Sequence, residues 1–464
     1  MTPPTFVVDS QGARYQLGKC LGEGGQGAVY AVQGGRLAAK VLAVVGLKTD
    51  PRRLERQLQF VRNLDLKGIP IAQPDAVLAP PHAGYIMRFL TDMNSLRTLM
   101  VPTSRADPLK RWYLDTGGLR HRLKVCGRAA TALAMLHAKG LSYGDVSPAN
   151  IFVSTAATSD TVYLIDADNL RHESSAETES FYTLGYGAPE VVARRGFVST
   201  LTDAHGLSVV AFETLTLVHP LLGDLVEEGD PELEEKALSG LLPWIDHPTD
   251  HSNRSTQGIK ERDVVLSGNL RNLASRAFGG GLSDPRERPS SSEWAEALER
   301  AGRNCLLCAN CKATFFRTAE LCPWCSTPRS PFLYGRLYMW DPELNDKAGG
   351  NVVGPDGLSK VVDSFTLAAG DQMIIDQRVG AGFSHGHAVS EILTVSFDGN
   401  AVVVQRVAPD AVLELRRPPR REPLNDASVA LKADGALQQT TIHLGPSNRV
   451  HRFLGFVLEG GKKS

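Results

Sequence analysis

The stretch Tyr143-Gly144-Asp145-Val146-Ser147-Pro148-Ala149-Asn150-Ile151-Phe152-Val153 decides the fold of this chain. It joins a long helical pattern, which ends at Gly140, to a short strand pattern. Asp145 and Asn150 therefore lie on the loop between a helix and a strand. Sixteen residues past Asn150, a second carboxylate, Asp166, ends an apolar run. Two carboxylates and one amide thus stand at the ends of elements, where functional side chains are common.

Asp145, Asn150 and Asp166 are the side chains that phosphoryl transfer needs. One carboxylate orients and deprotonates a hydroxyl group, while an amide oxygen and a second carboxylate hold Mg²⁺ on a triphosphate. The stretch resembles the catalytic loop of protein kinases, with Tyr143-Gly144-Asp145 in place of His-Arg-Asp. Asp166-Ala167-Asp168 similarly stands in place of Asp-Phe-Gly. For the isolated stretch, the alternative is a turn with Asx hydrogen bonds and a buried acid.

Length and composition describe an ordinary globular protein. The 464 residues predict two to four domains, and 42% of them are hydrophobic and 22% charged. With 50 basic and 51 acidic residues, the net charge of −1 gives no general attraction to nucleic acid or anionic membranes. No apolar run approaches the ~18–20 residues of a membrane span, and the N-terminus lacks a signal pattern. These features favour a cytoplasmic protein without membrane or nucleic-acid partners.

A glycine-rich hairpin precedes this stretch in the chain. Residues 21–30 contain G-x-G-x-x-G-x-V, which dinucleotide sites share in part. A dinucleotide site needs a helix next, but here a strand pattern, a Gly34-Gly35 turn and a returning strand with Lys40 follow. No G-K-[ST] ends the glycines, which excludes a Walker A loop. The resemblance to kinases implies that Lys40 binds ATP phosphates under the hairpin; the alternative is a surface hairpin with a solvated lysine. The implied hairpin residues are Gly22, Gly24, Gly27 and Val29.

In the segment after the hairpin, residues 51–66 are predicted to form a helix, and residues further along resemble the hinge of a kinase. Glu55 matches the helix glutamate that pairs with the lysine in active kinases, unless it is a solvated surface residue. Four residues later, Gln59 stands at a position where the family has an apolar residue. The alignment of this helix with the kinase helix is therefore open to a shift of one residue. Met87 corresponds to the residue behind the adenine, and the residues from Arg88 to Leu90 correspond to the hinge backbone.

The C-terminal half of the resemblance includes several further kinase signatures. Gly187-Ala188-Pro189-Glu190 matches Ala-Pro-Glu, and Thr183 lies where serine/threonine kinases carry the threonine of the substrate-binding loop. Asp203 opens a strongly apolar helix, as the helix-F aspartate does. Arg288 is the expected partner of Glu190 in a buried structural ion pair. The resemblance covers residues 12–302, with an N-lobe over 12–90 and a C-lobe over 91–302.

The chain departs from the kinase pattern at several positions near the catalytic loop. Gly144 replaces an arginine that reads activation-loop phosphate in many relatives, and Ser147 replaces a lysine near the transferred phosphate. Ala167 and Asp168 replace phenylalanine and glycine. Asp168 is either a third carboxylate near the metal or a polar cap. These departures leave open a weakly active or inactive enzyme.

Five of the seven cysteines lie between residues 305 and 325. Two C-x2-C pairs separated by ten residues predict four thiolates around a structural Zn²⁺, as in a zinc ribbon over 303–330. Cys305 is left outside this set. Five free thiols or a redox dithiol are the alternatives. The predicted ligands are Cys308, Cys311, Cys322 and Cys325.

Residues 331–464 carry repeated β-type runs separated by turn signals, which predict an all-β sandwich or barrel. Ser384-His385-Gly386-His387-Ala388 faintly resembles a motif of forkhead-associated phosphothreonine readers, although its arginine is absent. A basic run over 416–421 is typical of a solvated turn. The predicted strands span 361–367, 372–375, 392–397, 401–407, 412–415, 440–444 and 450–458.

The resemblance implies a bilobal protein kinase fold, and the cysteine pairs and β-type runs predict a small zinc ribbon and an all-β C-terminal domain. We therefore expect an α+β protein. The resemblance implies an ATP-dependent serine/threonine protein kinase of bacterial type that uses Mg²⁺ or Mn²⁺, ATP and structural Zn²⁺. The alternative is an inactive pseudokinase that acts as a nucleotide-binding adaptor. A kinase with a zinc-ribbon tail also resembles bacterial kinases encoded beside a metal-dependent phosphatase and a von Willebrand A-domain protein. Protein substrates and these two proteins are the implied partners.

Overall fold

The computed structural model describes residues 4–24, 27–42, 51–102, 109–174, 182–345, 361–382, 385, 389–417 and 420–460. The chain forms two compact units. The first comprises residues 1–106, 125–260 and 271–295, and the second comprises residues 107–124, 261–270 and 296–464. The second unit thus includes segments that the sequence assigns to the kinase-like C-lobe, and the predicted domain boundaries stay predictions.

The helices predicted over residues 51–66, before Gly140 and at Asp203 are present in the structure. The helix predicted over 51–66 ends at Arg62, and the apolar helix near Asp203 starts at Thr200. Ser199 and Thr202 form a capping box there, in which each side chain accepts a hydrogen bond from the backbone amide of the other. The helices are α1 (Pro51–Arg62), α2 (Leu109–Asp115), α3 (Gly118–Ala138), α4 (Pro189–Val192), α5 (Thr200–Thr216), α6 (Asp224–Glu227), α7 (Pro231–Leu238), α8 (Gly268–Phe278), α9 (Gly280–Ser283), α10 (Ser291–Arg303), α11 (Pro342–Asn345) and α12 (Gln377–Ala381).

A six-stranded antiparallel sheet, in the order β1-β2-β3-β4-β6-β5, begins the first unit. Successive side chains along the strands point to opposite faces of this sheet, and both faces carry apolar residues. On one face Ala38 and Met87 pack with Leu58 of α1, and on the other face Ala39 packs with Ile86. Lys40 stands opposite Val29 on one neighbour and Tyr85 on the other. The strands are β1 (Phe6–Val8), β2 (Arg14–Gly24), β3 (Gly27–Val32), β4 (Leu37–Leu42), β5 (Pro74–Val77) and β6 (Ala83–Arg88).

The rest of the first unit is mainly helical. Helix α5 is apolar around most of its circumference and is accordingly buried, with Phe212 packed edge-on against Trp244 and Phe278. Short strands flank the loop between α3 and the following strand, in the orders β10-β9-β7 and β11-β8. These strands are β7 (Met93–Ser95), β8 (Leu141–Ser142), β9 (Ile151–Ser154), β10 (Val162–Leu164) and β11 (Arg171–His172).

The second unit contains the cysteine-rich hairpin, made of β12 (Cys305–Leu307) and β13 (Thr314–Phe316), and it packs on α2 and the start of α3. The Trp324 ring stacks on Tyr113 with centroids 5.4 Å apart, and its carbonyl accepts a hydrogen bond from Lys110. The backbone amide of Arg120 donates to the Thr314 hydroxyl at 2.9 Å. A segment with little core of its own thereby gains a packing surface.

The C-terminal region is a β-sandwich, as the alternating strands predict. A six-stranded sheet in the order β15-β14-β23-β22-β19-β20 faces a four-stranded sheet in the order β16-β17-β18-β21, with a buried apolar core. All seven predicted strands are confirmed, whereas β14, β20 and β21 were not predicted. The forkhead-associated-like motif lies outside the described residues except for His385. The strands are β14 (Phe332–Trp340), β15 (Val361–Leu367), β16 (Gln372–Asp376), β17 (Glu391–Phe397), β18 (Ala401–Arg406), β19 (Glu414–Arg417), β20 (Arg420–Pro423), β21 (Ser428–Lys432), β22 (Thr441–His443) and β23 (His451–Glu459).

Among the described residues, no helix combines the length and the hydropathy that crossing a lipid bilayer requires.

Candidate active site

A cleft of about 960 Å³ in the first unit gathers most of the residues predicted to bind nucleotide or act in catalysis. Its walls come from the glycine hairpin, from β4 and β6, and from the loop after α3. Gly24 pairs with Gly27 across the hairpin. A Cβ on Gly27 would lie 2.2 Å from the Val41 carbonyl oxygen, so only glycine fits there. The predicted residues that line the cleft are Gly22, Gly27, Val29, Lys40, Met87, Arg88, Leu90, Asp145, Asn150, Asp166 and Thr183.

Lys40 is buried at the back of the cleft and pairs with two carboxylates. Its Nζ lies 3.1 Å from Asp166 Oδ1 and 3.1 Å from Asp168 Oδ1. Burial alone lowers the pKa of Lys40, but the charges of Asp168 and Asp166 outweigh it and raise that pKa. Burial raises the pKa of Asp166, and Lys40 opposes this shift. The lysine is therefore held as a cation at the point where phosphate charge would enter.

Glu55 does not pair with Lys40, which corrects the role that the resemblance to kinases implied for it. Its side chain is exposed on α1 and lines a surface depression with Arg52, Arg56 and Gln59. The physical reason is the rotational phase of α1. The buried residue Val61 places the position four residues earlier, Gln57, on the inward face of the helix. The Gln57 amide donates to the backbone carbonyls of Asp168 and Leu170 at 3.1 and 2.7 Å.

The catalytic-loop carboxylate is fixed from two directions. Asp145 Oδ1 accepts hydrogen bonds from the backbone amide and the hydroxyl of Thr183, at 2.8 and 2.9 Å. Its other oxygen, Oδ2, accepts one from the Asn150 amide at 3.0 Å. Asn150 is buried, and its amide also donates to the Asp145 carbonyl. The side-chain oxygen of Asn150 is thereby oriented away from Asp145.

Beneath this loop, Asp203 holds the backbone in place. Its carboxylate accepts hydrogen bonds from the backbone amides of Tyr143 and Gly144, at 2.6 and 2.9 Å, and lies 3.1 Å from His137 Nε2. The buried Tyr143 hydroxyl donates to the Ile165 carbonyl, which ties the loop to the strand before Asp166. Charge-assisted bonds to backbone amides are strong enough to fix such a loop.

Two departures from the kinase pattern have structural explanations. Gly144 has φ +92°, a left-handed conformation that side chains rarely adopt. Ser147 is fully buried and does not line the cleft, so this side chain cannot contact a bound phosphate. Within the described residues, Lys40 is the only lysine that lines the cleft.

Glu190 and Arg288, which are 98 residues apart, form a bidentate ion pair. The two nitrogen–oxygen distances are 2.8 and 2.7 Å. The Arg288 guanidinium also donates to the carbonyls of Gly281 and Leu201, and its side chain is fully buried. The pair fastens the start of α4, seven residues after Thr183, to the rest of the first unit.

The four predicted zinc ligands meet in the second unit. Their sulfur atoms all lie within 4.8 Å of one another, at 3.5 Å for Cys308 and Cys325 and 3.7 Å for Cys311 and Cys322. Sulfurs bound at about 2.3 Å to a tetrahedral zinc ion lie roughly 3.8 Å apart, so the cluster fits this metal. Cys305 lies outside the cluster, and burial raises its pKa to about 12, which keeps it a thiol.

No role in the site was assigned from the sequence to three residues that contribute to it: Gln57, Tyr85 and Tyr143. Gln57 had a detectable signal, because taking Val61 as the apolar residue of α1 places Gln57 four residues earlier. Tyr85 Oη donates to Asp168 Oδ1 at 3.0 Å, and Tyr85 pairs with Lys40 between β6 and β4. Helix α1 and β5 separate these two strands in the chain, so the pairing has no local sequence signal. The part that Tyr143 plays has no local sequence signal.

Comparison with known proteins identifies relatives over the first two thirds of the chain. Residues 15–296 match the model of the protein kinase domain. The chain is similar to serine/threonine-protein kinase PknB of Mycobacterium tuberculosis (strain ATCC 25618 / H37Rv), at 29% identity over 48% of this chain and 35% of that protein. It is also similar to PknJ of Mycobacterium bovis (strain ATCC BAA-935 / AF2122/97), at 29% identity over 60% of this chain and 48% of that protein.

These matches are partial in both directions. The aligned regions span about a third to a half of the length of these curated relatives. Among solved structures, the autoinhibited serine kinase domain of the giant muscle protein titin matches with a TM-score of 0.45 and 18% identity, covering 61% of this chain and 78% of that chain.

Proposed function

Given that this chain belongs to the protein kinase family, we propose that it is an ATP-dependent serine/threonine protein kinase. The observation that carries the proposal is the position of Asp145, which faces the same cleft as Lys40 and is held by Thr183 and Asn150. A carboxylate held in this way can orient an acceptor hydroxyl and accept its proton. The proposed acceptors of the phosphate group are the hydroxyl groups of serine and threonine side chains in proteins.

The cleft has the features that binding ATP requires. Ala38, Met87 and Ile165 supply an apolar lining beside the hinge residues Arg88 and Leu90, where an adenine ring would lie. Lys40 carries the positive charge at the opposite end and would bind phosphate oxygens.

Asp166 and Asn150 offer a carboxylate and an amide oxygen, which are the ligands that Mg²⁺ prefers, so this pair would hold the ion. When bound, Mg²⁺ or Mn²⁺ neutralises phosphate charge. Both residues line the cleft, and Asn150 is already oriented by Asp145. The residues present therefore fit the metal that kinase chemistry uses.

The remaining parts of the chain suit binding and stability rather than catalysis. The four clustered cysteines would hold a structural zinc ion, because all four coordination positions come from protein. The β-sandwich would bind substrates or partner proteins, including a cognate metal-dependent phosphatase and a von Willebrand A-domain protein. We place the protein in the cytoplasm, where ATP and reduced thiols are available.

The test is phosphate transfer from labelled ATP with Mg²⁺ or Mn²⁺, to the protein itself and to a generic basic protein. Label on serine or threonine that is lost in Asp166→Asn supports the proposal. A folded wild-type protein that binds ATP and transfers nothing would contradict it, and would favour the nucleotide-binding adaptor. Label on tyrosine alone would contradict the acceptor class.

A further inference from the structure

The charge balance around Lys40 is unusual because both of its carboxylate partners come from one short segment. Asp166 and Asp168 each approach the Lys40 amine at 3.1 Å, and the second oxygen of Asp168 lies at 3.3 Å. Lys40 is 3% exposed and Asp168 is 8% exposed. Burying an unpaired ammonium group in such a site would cost free energy. The carboxylate that stays paired with Lys40 therefore fixes the position of the ammonium charge.

Asp168 is itself held on three sides, which suits a fixed partner. The Tyr85 hydroxyl donates to Asp168 Oδ1 at 3.0 Å. The short 3-10 turn Ala167–Asn169 carries the residue, and Asp166 enters this turn in a left-handed conformation with φ 55°. The side-chain amide of Gln57 donates to the Asp168 carbonyl, which pins the turn from α1.

Helix α1 contributes a neutral side chain at this point, not an acid. A carboxylate in place of the Gln57 amide would face the carbonyl oxygens of Asp168 and Leu170, to which that amide now donates. It would also bring a further negative charge to the segment that already carries Asp166 and Asp168. Glu55, the acid that the helix does carry, is exposed among arginines. A neutral residue at position 57 of α1 is therefore consistent with Asp168 as the carboxylate partner of Lys40.

We propose that Asp168 is the positioning residue for Lys40, in the place of a helix carboxylate, and that Gln57 holds the turn that carries it. This inference rests on the proposed kinase function only in taking ATP as the ligand of the cleft. Asp166 is the carboxylate assigned to the metal. Asp168 remains with Lys40 and aims the ammonium at the phosphates.

The experiment compares Asp168→Asn with Glu55→Gln in the full-length protein. Asparagine keeps the size of Asp168 and an oxygen that can accept from Tyr85, but it removes the charge. We measure the affinities for ATP and for adenosine, and then kcat and KM for ATP. Asp168→Asn is expected to weaken ATP binding and kcat/KM about 10- to 100-fold, the effect of one charged hydrogen bond. The affinity of Asp168→Asn for adenosine is expected to stay within about twofold of wild type, because adenosine has no phosphate to contact Lys40. All parameters measured for Glu55→Gln are also expected to stay within about twofold of wild type, because Glu55 does not pair with Lys40.

Each outcome decides the inference. ATP affinity unchanged in Asp168→Asn overturns it, as does an equal loss for ATP and adenosine, which would indicate a merely structural role. A loss in Glu55→Gln that equals the loss in Asp168→Asn also overturns it. If Asp168→Asn does not fold, Tyr85→Phe removes one support of Asp168 and should give a smaller loss in the same direction, while unchanged ATP affinity there overturns the inference. A wild type that transfers no phosphate refutes the kinase proposal, yet the two affinities still test Asp168.

Discussion

Substituting Arg288 should destabilise the first unit far more than substituting a neighbouring arginine whose ion pair has almost the same nitrogen–oxygen distance. Arg288→Ala removes a fully buried guanidinium that makes two bonds to Glu190 and two to backbone carbonyls. The Glu190 side chain is only 21% exposed and would lose its counter-charge. Breaking a buried pair in this way costs about 3–5 kcal/mol. For a unit of this size, the loss corresponds to a Tm lowered by roughly 6–20 °C.

Arg286→Ala is the matched control. Arg286 pairs with Asp284 at 2.8 Å, almost the distance of the Arg288 pair, but its side chain is 83% exposed. Solvent screens this pair, so its loss should leave Tm unchanged within error. Thermal unfolding of both variants gives the comparison. A double-mutant cycle with Glu190→Ala should show that the double variant loses less than the sum of the two single losses.

Two results would refute this reasoning. Equal Tm shifts for Arg286→Ala and Arg288→Ala would mean that burial does not decide the strength of these pairs. Additive losses in the cycle would mean that Glu190 and Arg288 do not stabilise each other. The same variants report on activity, because the pair fastens the segment that follows Thr183.

Three further predictions concern the catalytic loop and the cysteines. Asp145→Asn should lower kcat by about 10²–10⁴-fold with little change in ATP affinity, since it removes the proposed base; a kcat within threefold of wild type would contradict this role. Thr183→Ala should lower kcat about 10- to 100-fold, because it removes a hydroxyl that donates to a carboxylate. Thr183→Ser should retain most activity, and an equal loss in both variants would argue against the hydroxyl. Cys308→Ala should lower the bound zinc per chain and the Tm, whereas Cys305→Ala should keep one zinc; equal zinc loss in both would exclude the four-cysteine site.

Much of the site follows from local sequence because each of its motifs sets its own geometry. Asp145 and Asn150 lie five residues apart on one loop, so a single backbone conformation brings their side chains together. The cysteine pairs are similar, since a C-x2-C turn presents both sulfurs on one side. The all-β C-terminal domain was predicted from its alternating strands, whereas the kinase fold was implied by the resemblance of several motifs to that family.

The partner of Lys40 could not be predicted in this way. Glu55 and Gln57 differ by about 200° around a helix of 3.6 residues per turn, so an error of two positions exchanges an exposed side chain for an inward one. Which of them faces the site depends on how α1 packs against the sheet, where Leu58 joins the apolar cluster of Ala38 and Met87. That packing involves strands distant in sequence, and the helix pattern alone does not fix it.

The pairing of Lys40 with two acids also gives Asp168, which stands where the kinase pattern has glycine, a place in the site. With Asp166 assigned to the metal, Lys40 would keep one carboxylate, and Asp168 is the one already fixed by Tyr85 and the turn. A glycine at 168, as the kinase pattern has, would leave the buried ammonium with no second carboxylate partner among the described residues around it. The polar cap and the third metal carboxylate predicted for this position are thus both less consistent with the geometry than a lysine partner. On this argument, Asp168→Gly alone should impair ATP binding, although it restores the family residue.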